Sequence, residues 1–177
     1  DGGPVELLTP ENADHDISFS PDGKFLVDVY SRPDTIPISV VRSTSGAVVK
    51  ELQRADISRL VSAGWTMPIP FTVRARDGQT DLEGLLYRPS KVVPSRKYPV
   101  IDYIYPGPQV GSVGGRQFNV NPAGAARSLA ELGFYVVQVD AMGTPGRSKA
   151  FHDTFYGNMT DNGIPDQIAT IKQLAAR

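Results

Sequence analysis

Tyr98-Pro99-Val100-Ile101-Asp102-Tyr103-Ile104-Tyr105-Pro106-Gly107-Pro108 decides the fold class. Val100 to Tyr105 is a mostly apolar run broken once by Asp102, and Pro106-Gly107-Pro108 stops it abruptly. The stretch reads as a strand that leaves its sheet into a rigid loop. Downstream the pattern alternates. Asn121 is placed to cap a helix with Pro122 at its first position, Ala125, Leu129 and Leu132 on its inner face and Gly133 as its stop. Phe134 to Val139 is a nearly continuous apolar run, as expected of a strand covered on both faces. Another helix starts near Pro165, with Asp166 favourable to its dipole and Ile164, Ile168, Ile171 and Ala175 expected inward. Strand, helix, strand, helix in that order predicts an α/β sheet.

Upstream the signals change. Phe71, Val73 and Ala75 alternate with polar residues, Asp77-Gly78 turns the chain, and Leu82 to Tyr87 returns it, so the sheet opens with a hairpin. Pro68 and Pro70 lie in a linker, preceded by a short helix expected over Ala55 to Ala63. Residues up to about Leu52 read as antiparallel strands. Ile17-Ser18-Phe19 enters the turn Ser20-Pro21-Asp22-Gly23, Lys24 to Tyr30 follows with Phe25, Val27 and Val29 on one face, and Ser43-Thr44-Ser45-Gly46 separates two more strands. That is the content of a single propeller-like blade, present once and without a repeat to close a ring. Three segments follow: 1–54 as the blade, 55–70 as helix and linker, and 71–177 as the opening of an incomplete α/β sheet.

Across 177 residues, a formal net charge of −1 with mixed signs argues against nucleic acid as a partner. Cysteine is absent, which excludes disulfides and thiolate metal sites. No cluster has metal-ligand spacing, and no cofactor motif is present: Gly111-Ser112-Val113-Gly114-Gly115 lacks the spacing and lysine of a phosphate loop and reads as a mobile loop.

The chemical candidates are few. Tyr105 stands at the carboxyl end of its strand, the edge where open α/β sheets place ligands. It either caps the core or offers a neutral phenol donor to a developing oxyanion. Asp102 must find donors or bear a desolvation cost; it either orders the Tyr105 loop or lies near the sheet edge. Gly146-Arg147-Ser148-Lys149-Ala150 imitates a Gly-x-Ser-x-Gly elbow, but Ser148 is too far from the preceding strand, so a helix-cap role is expected. His152-Asp153 has no nucleophile nearby, and His15, between Asp14 and Asp16, reads as part of a solvated turn. Trp65 reads as a core plug, and Asn158-Met159-Thr160 matches a glycosylation sequon.

Three ordered motifs carry a resemblance. Ser18-Phe19-Ser20-Pro21-Asp22-Gly23-Lys24 with Asp28-Val29-Tyr30-Ser31-Arg32 resembles the last propeller blade of the dipeptidyl peptidase IV branch of the prolyl oligopeptidase family. Lys97 to Gln109 is similar to that family's strand bearing an oxyanion-hole tyrosine. Gln138 to Lys149 and Asp166-Gln167-Ile168 resemble its next strand, loop and helix. The resemblance implies an α/β-hydrolase domain and a serine peptidase that releases N-terminal dipeptides with proline or alanine second. It needs no cofactor or metal, acts on peptides with a free N-terminus, and leaves a homodimeric parent open. A periplasmic or secreted placement is implied by family alone. Tyr105 would be the oxyanion donor. The Ser, Asp and His of the triad are not in these residues, and the helix from Pro165 runs to Arg177 without a terminator. The chain is therefore expected to be an internal fragment, inactive alone. A binding member of the family without its serine, or another hydrolase such as an acyl-peptide hydrolase or esterase, are the alternatives.

Overall fold

The computed structural model describes residues 3–105, 107–114, 116–120 and 124–177. Pro106, Gly115 and the expected helix start at Asn121 and Pro122 lie outside the described residues. The chain divides into two units: residues 3–65 with 116–119, and residues 66–114 with 120–177.

The first unit is an antiparallel sheet of β1 (Asp14–Phe19), β2 (Phe25–Arg32), β3 (Thr35–Ser43) and β4 (Val48–Arg54), hydrogen-bonded in that order. The Ser20–Gly23 turn forms as its residues dictate. Gly23 takes φ +68° and donates to Ser20 O, while Ser20 Oγ donates to Asp22 and accepts the Phe25 N–H. A short helix α1 (Ser58–Ser62) follows, and Trp65 meets Phe118 edge to face at 5.7 Å.

Phe25, Val27 and Val29 do share a face of β2, but it is the exposed one. The buried face carries Leu26 and Asp28, with Ile38, Val40 and Arg42 of β3 beside them. A charge thus sits in the blade core, and it is paired. Arg42 donates Nε to Asp28 (2.8 Å), Nη2 to Glu11 (2.6 Å) and Nη1 to Gly46 O (3.1 Å). His15 lies on β1 rather than in a solvated turn, its side chain only 12% exposed. Its Nδ1 stands 2.8 Å from Asp28 Oδ1 and its Nε2 3.0 Å from Glu11 O. Glu11 O and the Asp28 carboxylate are both acceptors, an arrangement that a doubly protonated His15 ring satisfies with both of its N–H groups. Burial pulls its pKa down, but Glu11 O and the Asp28 carboxylate outweigh this and hold it above its ordinary value of 6.5.

The second unit holds β5 (Ile69–Arg74), β6 (Asp81–Tyr87), β7 (Val100–Asp102) and β8 (Tyr135–Val139) in the order β5-β6-β8-β7. Only the β7/β8 pair is parallel. The β5–β6 turn is fixed by Asp77, whose carboxylate accepts from Gln79 N, Thr80 N and the Thr80 hydroxyl. Helix α2 (Ala125–Glu131) covers one sheet face, where Ala126, Ala130 and Val136 pack with Ile101 and Tyr87. The other face carries Val73, Leu82 and Val139 against Phe151 of α3 (Lys149–His152) and Leu174 of α4 (Ile164–Ala175).

Leu129 of α2 packs inward as expected, beside the cluster of Ala126, Ala130 and Val136, but the other expected inner positions of α2 and those at the start of α4 do not. On α2 the buried positions are Ala126 and Ala130, while Ala125 is exposed and Leu132 is 76% exposed. Small alanines let the helix approach the sheet closely, and Leu132 falls in the final turn where Gly133 (φ +101°) redirects the chain. On α4 the buried residues are Asp166, Gln167 and Thr170, leaving Ile164 and Ile168 exposed. Asp166 sets this orientation. Its carboxylate accepts from the Arg76 backbone N–H (2.9 Å), from Arg76 Nε (3.0 Å) and Nη2 (2.9 Å), and from Met142 N (3.1 Å).

Two outcomes are expected. Asp166→Asn, which leaves the Arg76 charge without its buried partner, should cost on the order of 3 kcal/mol in denaturant unfolding. For His15, the raised folded-state pKa means its contribution is complete below the ordinary value and is lost as pH rises through the folded one. Melts of the wild-type first unit should therefore fall as pH climbs above about 6.5, and His15→Gln should flatten that slope. A slope unchanged by the substitution would show that His15 is not the group responsible.

Candidate active site

β7 is the terminal strand of its sheet, and the chain leaves it at the carboxyl end toward Tyr105. The expected strand over Val100 to Tyr105 stops at Asp102, because the last sheet bond is Tyr103 N to Val137 O at 2.8 Å. Tyr105 belongs to neither core cluster, and it is 56% exposed. Its direction is consequently set by its own backbone, whose N–H donates to Ser112 Oγ at 3.0 Å. The loop then turns at Gly107, where φ is +152° and an added Cβ would come within 2.7 Å of Gln109 Oε1.

The glycine-rich stretch after it is anchored rather than loose at residues 111–113. Val113 N donates to Asp140 Oδ1 at 3.0 Å, and Gly111 packs so closely on that carboxylate that a Cβ would stand 2.4 Å from Oδ1. Asp140 is buried at the end of β8, and nothing local in the sequence distinguishes it from a surface acid. His152 contributes a further contact: its Nε2 lies 2.8 Å from Pro108 O, and since a carbonyl only accepts, Nε2 carries the proton.

Asp102 shares a sheet face with Val137, its register partner, opposite the face covered by α2. Its Oδ1 is buried with no hydrogen-bond partner among the described residues, and burial raises its pKa above the usual carboxylate range. The contacts that order the Tyr105 loop come from Ser112, Asp140 and His152 instead.

Ser148 caps α3. Its Oγ accepts the Phe151 N–H at 3.2 Å, and eight residues (140–147) separate it from the end of β8. His152 and Asp153 do not form a base and its orienter: Asp153 pairs with Lys149, and His152 with Pro108. Among the described residues, Glu11, His15 and Asp28 have ligand atoms within 4.8 Å of one another, close enough for a metal. The Arg42 guanidinium already bonds both carboxylates and fills the cation's place, so these residues do not suit one.

A mixed sheet in this order, sandwiched by helices and preceded by one antiparallel blade, defines an incomplete α/β-hydrolase joined to the end of a propeller. A sequence model of the prolyl oligopeptidase family matches residues 122–177. Dipeptidyl peptidase 8 of Homo sapiens is 31% identical over 99% of the chain, which covers 20% of that protein. An Emericella nidulans protein assigned as dipeptidyl-aminopeptidase B is 33% identical over 100% of the chain, again 20% of the relative. A solved Bacteroides ovatus structure assigned as a dipeptidyl aminopeptidase IV superposes with a TM-score of 0.78 at 26% identity, over 94% of this chain and 23% of that one. The chain belongs to the dipeptidyl peptidase IV branch of the prolyl oligopeptidase family. It spans about a fifth of the length of the curated relatives it matches.

With its hydroxyl engaged as a cap and no histidine directed at it, Ser148 should not react with a fluorophosphonate. Mass spectrometry of the treated chain is expected to find Ser148 unmodified; stoichiometric labelling there would overturn its assignment as a cap.

Proposed function

We propose that this chain is a segment of a longer serine peptidase that removes N-terminal dipeptides with proline or alanine second, acting on peptides with a free N-terminus. On this reading, residues 1–54 are the last propeller blade, 55–70 a helix and linker, and 71–177 the first part of the hydrolase domain, ahead of the nucleophile elbow. The Ser, Asp and His of the triad are supplied from outside these residues, and the chain alone does not hydrolyse substrate.

The observation that carries the reading is the placement of Tyr105: a phenol just past the carboxyl end of a terminal parallel strand, exposed, with its backbone held by Ser112. As a tetrahedral intermediate forms at a scissile carbonyl, negative charge grows on its oxygen. A neutral hydroxyl already directed there stabilises that charge without the cost of burying a charge of its own. A backbone N–H beside the serine would be the second donor.

In the full-length peptidase, Tyr105→Phe should lower kcat on an Ala-Pro chromogenic substrate by ~10²–10³-fold, the loss typical of one oxyanion donor, with KM little changed. Unaltered kcat would reduce Tyr105 to a structural residue.

A further inference from the structure

The Tyr105 ring is over half exposed, so packing does not hold the phenol in place. Where its hydroxyl stands depends on how firmly the loop is fixed. Tyr105 N is tied to Ser112 within the loop, Val113 is tied to Asp140 at the end of β8, and Pro108 O is tied to His152 on α3. The last of these is the closest to Tyr105 that reaches outside the loop, three residues further along the chain.

The anchor itself is rigid. Ser148 caps the first turn of α3, the His152 N–H returns to Ser148 O at 3.0 Å, and Phe151 beside it is buried in the sheet core. Arg147 lies over the Phe151 ring at 4.2 Å, and Phe151 O accepts the Gly143 N–H at 2.8 Å. A half-buried imidazole on such a pin can fix a carbonyl to within the tolerance that catalysis demands.

We infer that His152 is a positioning residue: its Nε2–H, held on α3, fixes the Pro108 carbonyl and thereby sets where the Tyr105 hydroxyl stands. The inference rests on the reading of Tyr105 as the oxyanion donor. His152 touches no reacting atom and transfers no proton. Its Nε2–H is present in the imidazolium and in one neutral tautomer, so the contact survives loss of the other ring proton.

The test uses the full-length peptidase. His152→Phe keeps a ring and removes the donor, whereas His152→Gln keeps a donor of similar reach on a more flexible side chain. His152→Phe should lower kcat by ~10–10²-fold, as a misplacement of about 1 Å does, with KM little changed and part of the loss restored in His152→Gln. In a Tyr105→Phe background the same substitution should cost nothing further, because the group it positions has gone. Equal losses in both backgrounds would assign His152 to general stability and overturn the inference. A crystal structure of the His152→Phe protein reads the same question without catalysis: a displaced Tyr105 with α3 in place supports the inference, and an undisplaced Tyr105 overturns it. The oxyanion reading fails separately, if Tyr105→Phe leaves kcat unchanged.

Discussion

The Asp166 carboxylate is wholly buried and collects donors from two distant parts of the chain, the Arg76 backbone and guanidinium after β5 and the Met142 N–H beyond β8. One group at the start of α4 therefore joins the opening hairpin, the loop that follows the central strand and the helix that covers both. Arg76 is held also by Asp161, just ahead of the same helix, and the two carboxylates keep its pKa well above the ordinary arginine value, Asp166 contributing most. A buried carboxylate with every contact satisfied is tolerable; with one donor removed it is not. The same carboxylate thus holds the buried face of α4, the backbone at Met142 and Arg76 together.

The local features of this fold were legible in its residues. The turns at Ser20–Gly23 and Asp77–Gly78 form where their side chains can bond their own backbone, and the strands lie between them. The helix faces were not legible, because counting apolar positions assumes that buried means apolar. Asp166 is buried by a partner 90 residues earlier, and Ile168 is left exposed as a result. His15 is a similar case: flanked by two acids it looks solvated, but it is held by the Glu11 carbonyl four residues earlier and by Asp28, which pairing of β1 with β2 brings beside it. At the candidate site the strand leading to Tyr105 could be read. The loop's bracing could not, since it uses a backbone carbonyl and a histidine 44 positions away.

Exposure and order coexist in the Tyr105 loop. For the oxyanion donor proposed above, a ring packed into the core would be well placed and unable to meet a substrate, while a ring on a free loop would meet it in many orientations. Bracing the backbone and leaving the side chain open resolves the conflict. Gly111 contributes by its lack of a side chain, which lets the loop rest on the Asp140 carboxylate.

The two margins of the second sheet are unlike. Along β5, Gln173 of α4 donates to Arg74 O and accepts from Arg74 N, and Arg177 donates to Thr72 O. An incoming strand would find the Arg74 N–H and C=O and the Thr72 C=O already taken. β7 has no such cover from α4. A strand added beside β7 would lie at the edge from which the chain leaves toward Tyr105. On the reading proposed above, such a strand would bring its residues toward the phenol, so that completing the sheet and completing the site would be a single event.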